Sequence, residues 1–129
     1  MARVRDVAFG MLLGAICTGA IASLAAAPSV DPVKLSPKYY KVRLDNARVR
    51  VLEFSSKPGD KEGMHSHPEG IVFALADATY KNTFPDGSAS THSAKQGDVE
   101  WSDAVSHSGE NVGNTDGHFY RVELKNCTK

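Results

Sequence analysis

Pro58-Gly59-Asp60-Lys61-Glu62-Gly63-Met64-His65-Ser66-His67-Pro68 is the stretch on which the fold of this chain turns. Side chains alternate along an extended backbone, so His65 and His67 leave the same face and their imidazoles can converge on one ion. Pro68 reinforces this, because a proline pushes the residue before it out of the right-handed helical region. Lys57-Pro58-Gly59-Asp60 makes a turn ahead of the strand. Solvated surface strands also carry His-x-His pairs, so the surroundings decide between a metal ligand and an ordinary polar face.

Those surroundings read as β throughout. Tyr40, Val42 and Leu44 share one parity, Asp45-Asn46 turns the chain, and Val49 and Val51 continue on a second strand. Short runs follow at Ile71 to Ala76, Thr79 to Phe84, Ala89 to Ser93, Val99 to Trp101 and His118 to Lys125, divided by turn clusters at Pro85-Asp86-Gly87-Ser88 and Gly113-Asn114-Thr115-Asp116-Gly117. Asp86-Gly87 between two alternating runs is the clearest hairpin signal. Such spacing predicts an all-β sandwich or barrel. Ile71 to Leu75 is apolar on both parities and should be covered on both faces, by the chain's own arm, by an opposite sheet, or by a partner subunit in a homodimer.

Five residues separate Gly59 from His65, Gly97-Asp98 opens a later strand, and His107 is followed after three residues by Asn111. These two stretches resemble the two sequence motifs of the cupin family, and the resemblance runs from about Val49 to Lys125. It implies a single double-stranded β-helix, a jelly-roll barrel, in which His65, His67 and His107 reach one pocket as metal ligands. The chain departs from the family pattern in two places. The glutamate expected a few residues beyond the second histidine is replaced by Ile71 and Val72, leaving Glu69 as the nearest carboxylate, either a ligand or an ordinary loop residue. The proline and glycine expected before the third histidine are replaced by Asp103, Ala104 and Val105, one residue shorter, which leaves the aim of His107 open.

Three neutral imidazoles would leave a divalent ion its full charge, so such a site should prefer anionic ligands. Imidazole nitrogen suits iron, nickel, copper and zinc without choosing among them. Open coordination positions would serve oxygen and substrate on iron, or an ionisable water on zinc. The resemblance therefore implies a metal-binding cupin that holds or converts a small anionic or oxygen-rich molecule, as the family's oxygenases do. The alternative is a non-catalytic ligand-binding or interaction module with weak or no metal binding. No Ser-His-Asp set, cysteine nucleophile or phosphate loop offers a metal-free mechanism, and only Glu69 or Glu100 stands out as a general base.

At the N-terminus, Arg3 and Arg5 precede an apolar run from Val7 to Leu24, which reads as a secretory signal peptide over residues 1–25, cut after Ala25. Gly10, Gly14, Gly19, Thr18 and Ser23 dilute the run, so a retained anchor is less favoured. A periplasmic or secreted protein without stable membrane association follows. Ile16 is too bulky for lipoprotein processing at Cys17, and Cys127 is then the sole thiol of the mature chain, unable to form an internal disulfide. Pro28, Pro32 and Pro37 punctuate a flexible, extended arm over residues 26–37, with the barrel over 38–129.

Fifteen basic and fifteen acidic residues balance to zero net charge with no basic patch, which argues against nucleic acid. Lys41, Arg43, Arg48 and Arg50 alternate with apolar residues as the wet face of strands. His92 is expected to be solvated, and Trp101 to anchor the core. Tyr80, Phe84, Phe73, Phe119 and Tyr120 are expected mainly to pack, with one or two lining a pocket. His118 shares parity with Tyr120, Val122 and Leu124, so it faces inward if they do.

Overall fold

The computed structural model describes residues 29–125, and the expected leader over 1–25, with Cys17 and Cys127, lies outside the described residues. A short helix, α1 (Pro32–Leu35), precedes nine strands: β1 (Tyr40–Asp45), β2 (Val49–Ser56), β3 (His65–His67), β4 (Gly70–Ala74), β5 (Ala78–Thr83), β6 (Ala89–Ala94), β7 (Val99–Ser102), β8 (Val105–Asn111) and β9 (Gly117–Leu124). The turns fall where the punctuation predicts. Gly59 and Gly97 take positive φ in the loops before β3 and β7, and Gly87 does so in the β5–β6 hairpin, where Gly87 N donates to Phe84 O. Asn46 Oδ1 accepts from the Arg48 and Val49 amides to close the first turn.

The strands form two antiparallel sheets, one ordered β1-β2-β9-β4-β7 and the other β3-β8-β5-β6. From β2 to β9 the chain alternates between the two sheets except at the β5–β6 hairpin, and β3 pairs with β8 while β4 pairs with β7 and β9. This places the double-stranded β-helix in the structure. At its first residue β4 approaches β9 so closely that a Cβ on Gly70 would lie 2.0 Å from the Val122 carbonyl oxygen. Only glycine fits that contact.

Several expectations are corrected. The segment before β1 is not extended. Asp31 caps α1 by accepting from the Val33 amide at 2.8 Å, with Pro32 buried at the first helical position, a start signal that Asp31-Pro32 carries in the sequence itself. Val30 O then accepts from Ser66 N at 2.9 Å, tying the arm to β3. On β1 Tyr40 is buried while Val42 and Leu44 are exposed, and a bulge between Val42 and Leu44 shifts the register of the strand on β2. Trp101 is not a core anchor, since it is 55% exposed on β7 and its indole N–H donates to Asp103 Oδ1.

Parity on β9 is the reverse of what its apolar residues suggest. Arg121 and Glu123 are buried, whereas His118 stands on the other face, 2.8 Å from Glu53 Oε1. Arg50 likewise leaves the wet face to join a buried carboxylate. Ile71, Val72 and Phe73 are each half-buried rather than sealed on both sides. The arm, one of the covers expected for them, packs its helix on β1 and β3. The apolar core proper is small, built on Tyr39, Tyr40 and Leu52 with Val33 and Phe54 against them.

Candidate metal centre and its cavity

Strand register brings the three histidines together. In the β3–β8 ladder His65 lies directly opposite His107, so their side chains share one face, and His67 follows two residues along the same face. The aim of His107, left open by its irregular motif, is thus fixed by pairing. One ring nitrogen from each of His65, His67 and His107 falls within a group spanning 4.8 Å. His65 and His67 are buried.

Each imidazole is held by its Nδ1. That of His65 lies 2.8 Å from Gly63 O, that of His67 lies 2.7 Å from Glu123 Oε1, and that of His107 lies 3.1 Å from Asn82 Oδ1. All three partners are acceptors, so each Nδ1 carries the proton and each Nε2 turns a lone pair to the shared point. Burial lowers the basicity of all three, with the Arg121 charge adding to it, taking His67 down to about 4 and His107 to about 3. The rings are neutral at neutral pH, and no proton lies between His65 Nε2 and His67 Nε2, which are 2.9 Å apart. Two facing lone pairs at that distance repel unless a cation joins them.

Behind His67 runs a chain of charges. Glu123 Oε2 accepts from Arg50 Nε at 2.7 Å, and Arg50 in turn donates to Asp31 Oδ2 at 2.7 Å. Burial alone would raise the Glu123 carboxyl, but the His67 and Arg50 hydrogen bonds outweigh it and hold the acid below its ordinary range. The cap of α1 is therefore linked to a candidate ligand through two ion pairs. Such outer partners orient a ligating histidine and fix its tautomer.

Glu62 is the carboxylate that approaches this centre. Its Oε1 lies 3.8 Å from His65 Nε2, its side chain is 7% exposed, and burial raises its acid to about 7, the neighbouring Tyr40 hydroxyl offsetting part of that rise. A Cβ on Gly109 would lie 2.7 Å from Glu62 Oε1, so the glycine makes the seat for this side chain. Tyr40 hydroxyl also lies 3.3 Å from His65 Nε2. Glu69 is exposed and stands outside the histidine group. His92 is exposed beside Glu100, and Asn111 is buried, bracing Gly113 N and Thr115 O.

The centre opens into a cavity of about 500 Å³, whose walls include Phe54, Val72, Tyr80, Phe84 and Phe119. Three aromatics expected mainly to pack, Tyr80, Phe84 and Phe119, thus line it, and Trp101 contributes to its rim. Among the described residues, three buried side-chain atoms have no hydrogen-bond partner: Glu62 Oε2, His107 Nε2 and Arg121 Nε. All three belong to residues that line this one cavity. Two are acceptors, as a cation's ligands would be. The donor set and its unsatisfied lone pairs fit a divalent metal.

Sequence reasoning missed Glu62, Arg121 and Glu123. Glu62 lies upstream of His65, where the motif gives no cue. Arg121 and Glu123 did carry a signal, because two opposite charges at strand spacing on one parity can face a polar interior as readily as water.

No sequence-family model matches the chain, and no curated protein does. Solved structures do. A cupin domain from Bordetella pertussis is 27% identical, with 67% of this chain aligned to 92% of that one at a TM-score of 0.62. An RmlC-like cupin family protein from Methanocaldococcus jannaschii, 13% identical over 66% of this chain and 77% of its own, gives 0.54. A protein with a double-stranded β-helix domain from Klebsiella pneumoniae, 19% identical over 66% and 74%, gives 0.53. The last two share the fold.

Proposed function

Since the chain is a small cupin with three histidines meeting inside its barrel, we propose that it binds a divalent transition metal through His65, His67 and His107 and holds or converts a small anionic or oxygen-rich molecule beside it. The pair of Nε2 lone pairs 2.9 Å apart, with no proton to share, is the observation that carries this. When bound, the metal would supply a Lewis-acid centre and, if it is iron, a place for oxygen. The chain's own residues supply the rest. Gly63 O, Glu123 and Asn82 hold the three rings in one tautomer, and Phe54, Val72, Tyr80, Phe84 and Phe119 offer the ligand an apolar wall. Tyr40, whose hydroxyl burial keeps protonated far above its ordinary range, offers a donor at the edge of the site.

The test is metal content. The tag-free domain from residue 26 onward, purified without added chelator, should carry close to one equivalent of iron, nickel, copper or zinc, and His65→Ala and His107→Ala should each lose most of it. Negligible metal in all three proteins would instead favour a non-catalytic binding module, a reading that the absence of a carboxylate at Ile71 and Val72 supports. We further propose export, on the leader-like residues 1–25. Sequencing the N-terminus of the protein recovered outside the cytoplasm should give Ala26, and recovery of the full-length chain from the cytoplasm alone would refute it.

A further inference from the structure

Of the three orphaned atoms around the cavity, Arg121 Nε is the donor, and it needs the opposite partner from a metal ligand. Arg121 lies in the middle of β9, paired in register with Leu52 and Val72, and is 9% exposed. Its Nη2 donates to Pro68 O at 2.9 Å and to Ser102 Oγ at 3.1 Å. These neutral oxygens aim the guanidinium without balancing its charge. Among the described residues no carboxylate reaches it at ion-pair distance, in contrast to Arg50, which has Asp31 and Glu123, and Arg43, which has Glu53. Glu123 is close along the strand, but each of its oxygens is already engaged, one by His67 and the other by Arg50.

A buried cation is tolerated when paired and hydrogen-bonded, and costs heavily otherwise. The guanidinium fork matches a carboxylate, whose two oxygens accept in parallel. Phe54, Val72, Tyr80, Phe84 and Phe119 give the cavity an apolar wall beside Arg121, the carboxylates Asp98, Glu100 and Asp103 on its lining are exposed, and about 500 Å³ holds far more than a bare carboxylate. We propose that Arg121 is the carboxylate anchor of this cavity, and that the ligand is an organic acid with an apolar body and a second oxygen donor directed at the three Nε2 atoms. The second contact rests on the metal-binding function proposed above, and the anchor does not.

Phenylpyruvate has the required parts, its methyl ester lacks the charge, and inorganic phosphate lacks the body. Each is titrated calorimetrically into tag-free wild type, Arg121→Lys and Arg121→Met, with zinc loaded and again after chelation, metal content and circular dichroism being measured on every sample. Zinc-loaded wild type should bind phenylpyruvate at least tenfold more tightly than its ester or phosphate. Arg121→Met should weaken the acid by about 10- to 100-fold, as expected for loss of hydrogen bonds to a charged group, while the ester changes less than about threefold and zinc content stays constant. Arg121→Lys, which keeps the charge but not the fork, should fall between. Acid binding by the chelated wild type that still depends on Arg121 supports the anchor, even if no metal proves to bind. Failure of the wild type to bind the acid, equal binding of the ester, tighter phosphate, or a folded Arg121→Met that binds the acid like the wild type would each overturn it.

Discussion

Replacing Glu123 by glutamine isolates the link between the α1 cap and the histidine centre. The glutamate is 2% exposed and accepts at 2.7 Å from both His67 Nδ1 and Arg50 Nε. Glutamine preserves the shape but has one carbonyl oxygen. Whichever way the amide lies, its NH2 confronts either the His67 proton or the Arg50 N–H, donor against donor. One charge-assisted hydrogen bond is lost, about 1.5–3 kcal/mol. Arg50 retains Asp31 and some solvent, which limits the damage on that side. His67 can escape only by moving its proton to Nε2, where it would block the candidate metal position. For a domain of this size a loss of about 2 kcal/mol should lower the urea midpoint by ~1–2 M. Loss of the hydrogen bond that orients His67 should also weaken zinc ~10- to 100-fold in competition with a chelator. If the midpoint stays within ~0.3 M and zinc affinity within about threefold, Glu123 does not set the tautomer and the relay has no functional weight.

Glu62→Gln removes the one carboxylate beside His65. Manganese, which depends most on oxygen donors, should lose ~10-fold more affinity than zinc, read from the resonance of free manganese in solution. Gly70→Ala places a methyl 2.0 Å from the Val122 carbonyl and should abolish soluble, cooperatively melting protein. In the metal-free protein, stability should rise between about pH 5 and 6. Over that range the unfolded histidines bind protons that folded His67 and His107 refuse until about 4 and about 3. Glu62 works the other way, because its folded acid, raised to about 7, keeps a proton that the unfolded chain has released. Two protons outweigh one, so Glu62→Gln should steepen the rise, as chemical denaturation at stepped pH would show.

Much of the fold was legible because local chemistry and global topology agree in the turns. Pro58-Gly59, Asp86-Gly87 and Gly97 required the loops that they occupy, with positive φ at each glycine, and His-x-His before Pro68 demanded an extended segment. The three histidines followed from the family spacing, yet what joins His107 to His65 is a strand register that no local pattern encodes. Asp31-Pro32 was readable as a helix start, but the prolines around it suggested a loose arm. Its ion pair with Arg50 depends on the arm folding back against β2, a long-range fact, as the Arg50–Glu123 pair depends on β2 and β9 being neighbours.

The misread face of β9 is the more instructive failure. Amphipathic logic turns the apolar parity inward because burial of apolar surface dominates folding. Here Tyr120 and Val122 lie half-buried while Arg121 and Glu123 are buried. Selection for stability alone would not place a guanidinium without a carboxylate inside a barrel whose apolar core is small. Glu123 answers for Arg50 and His67, but nothing among the described residues answers for Arg121 Nε, Glu62 Oε2 or the His107 lone pair. These groups are opposite in kind, and they face one cavity. Internal pairing would have cancelled them, so their separation is what a chain requires if a cation and an anion from outside are to complete it.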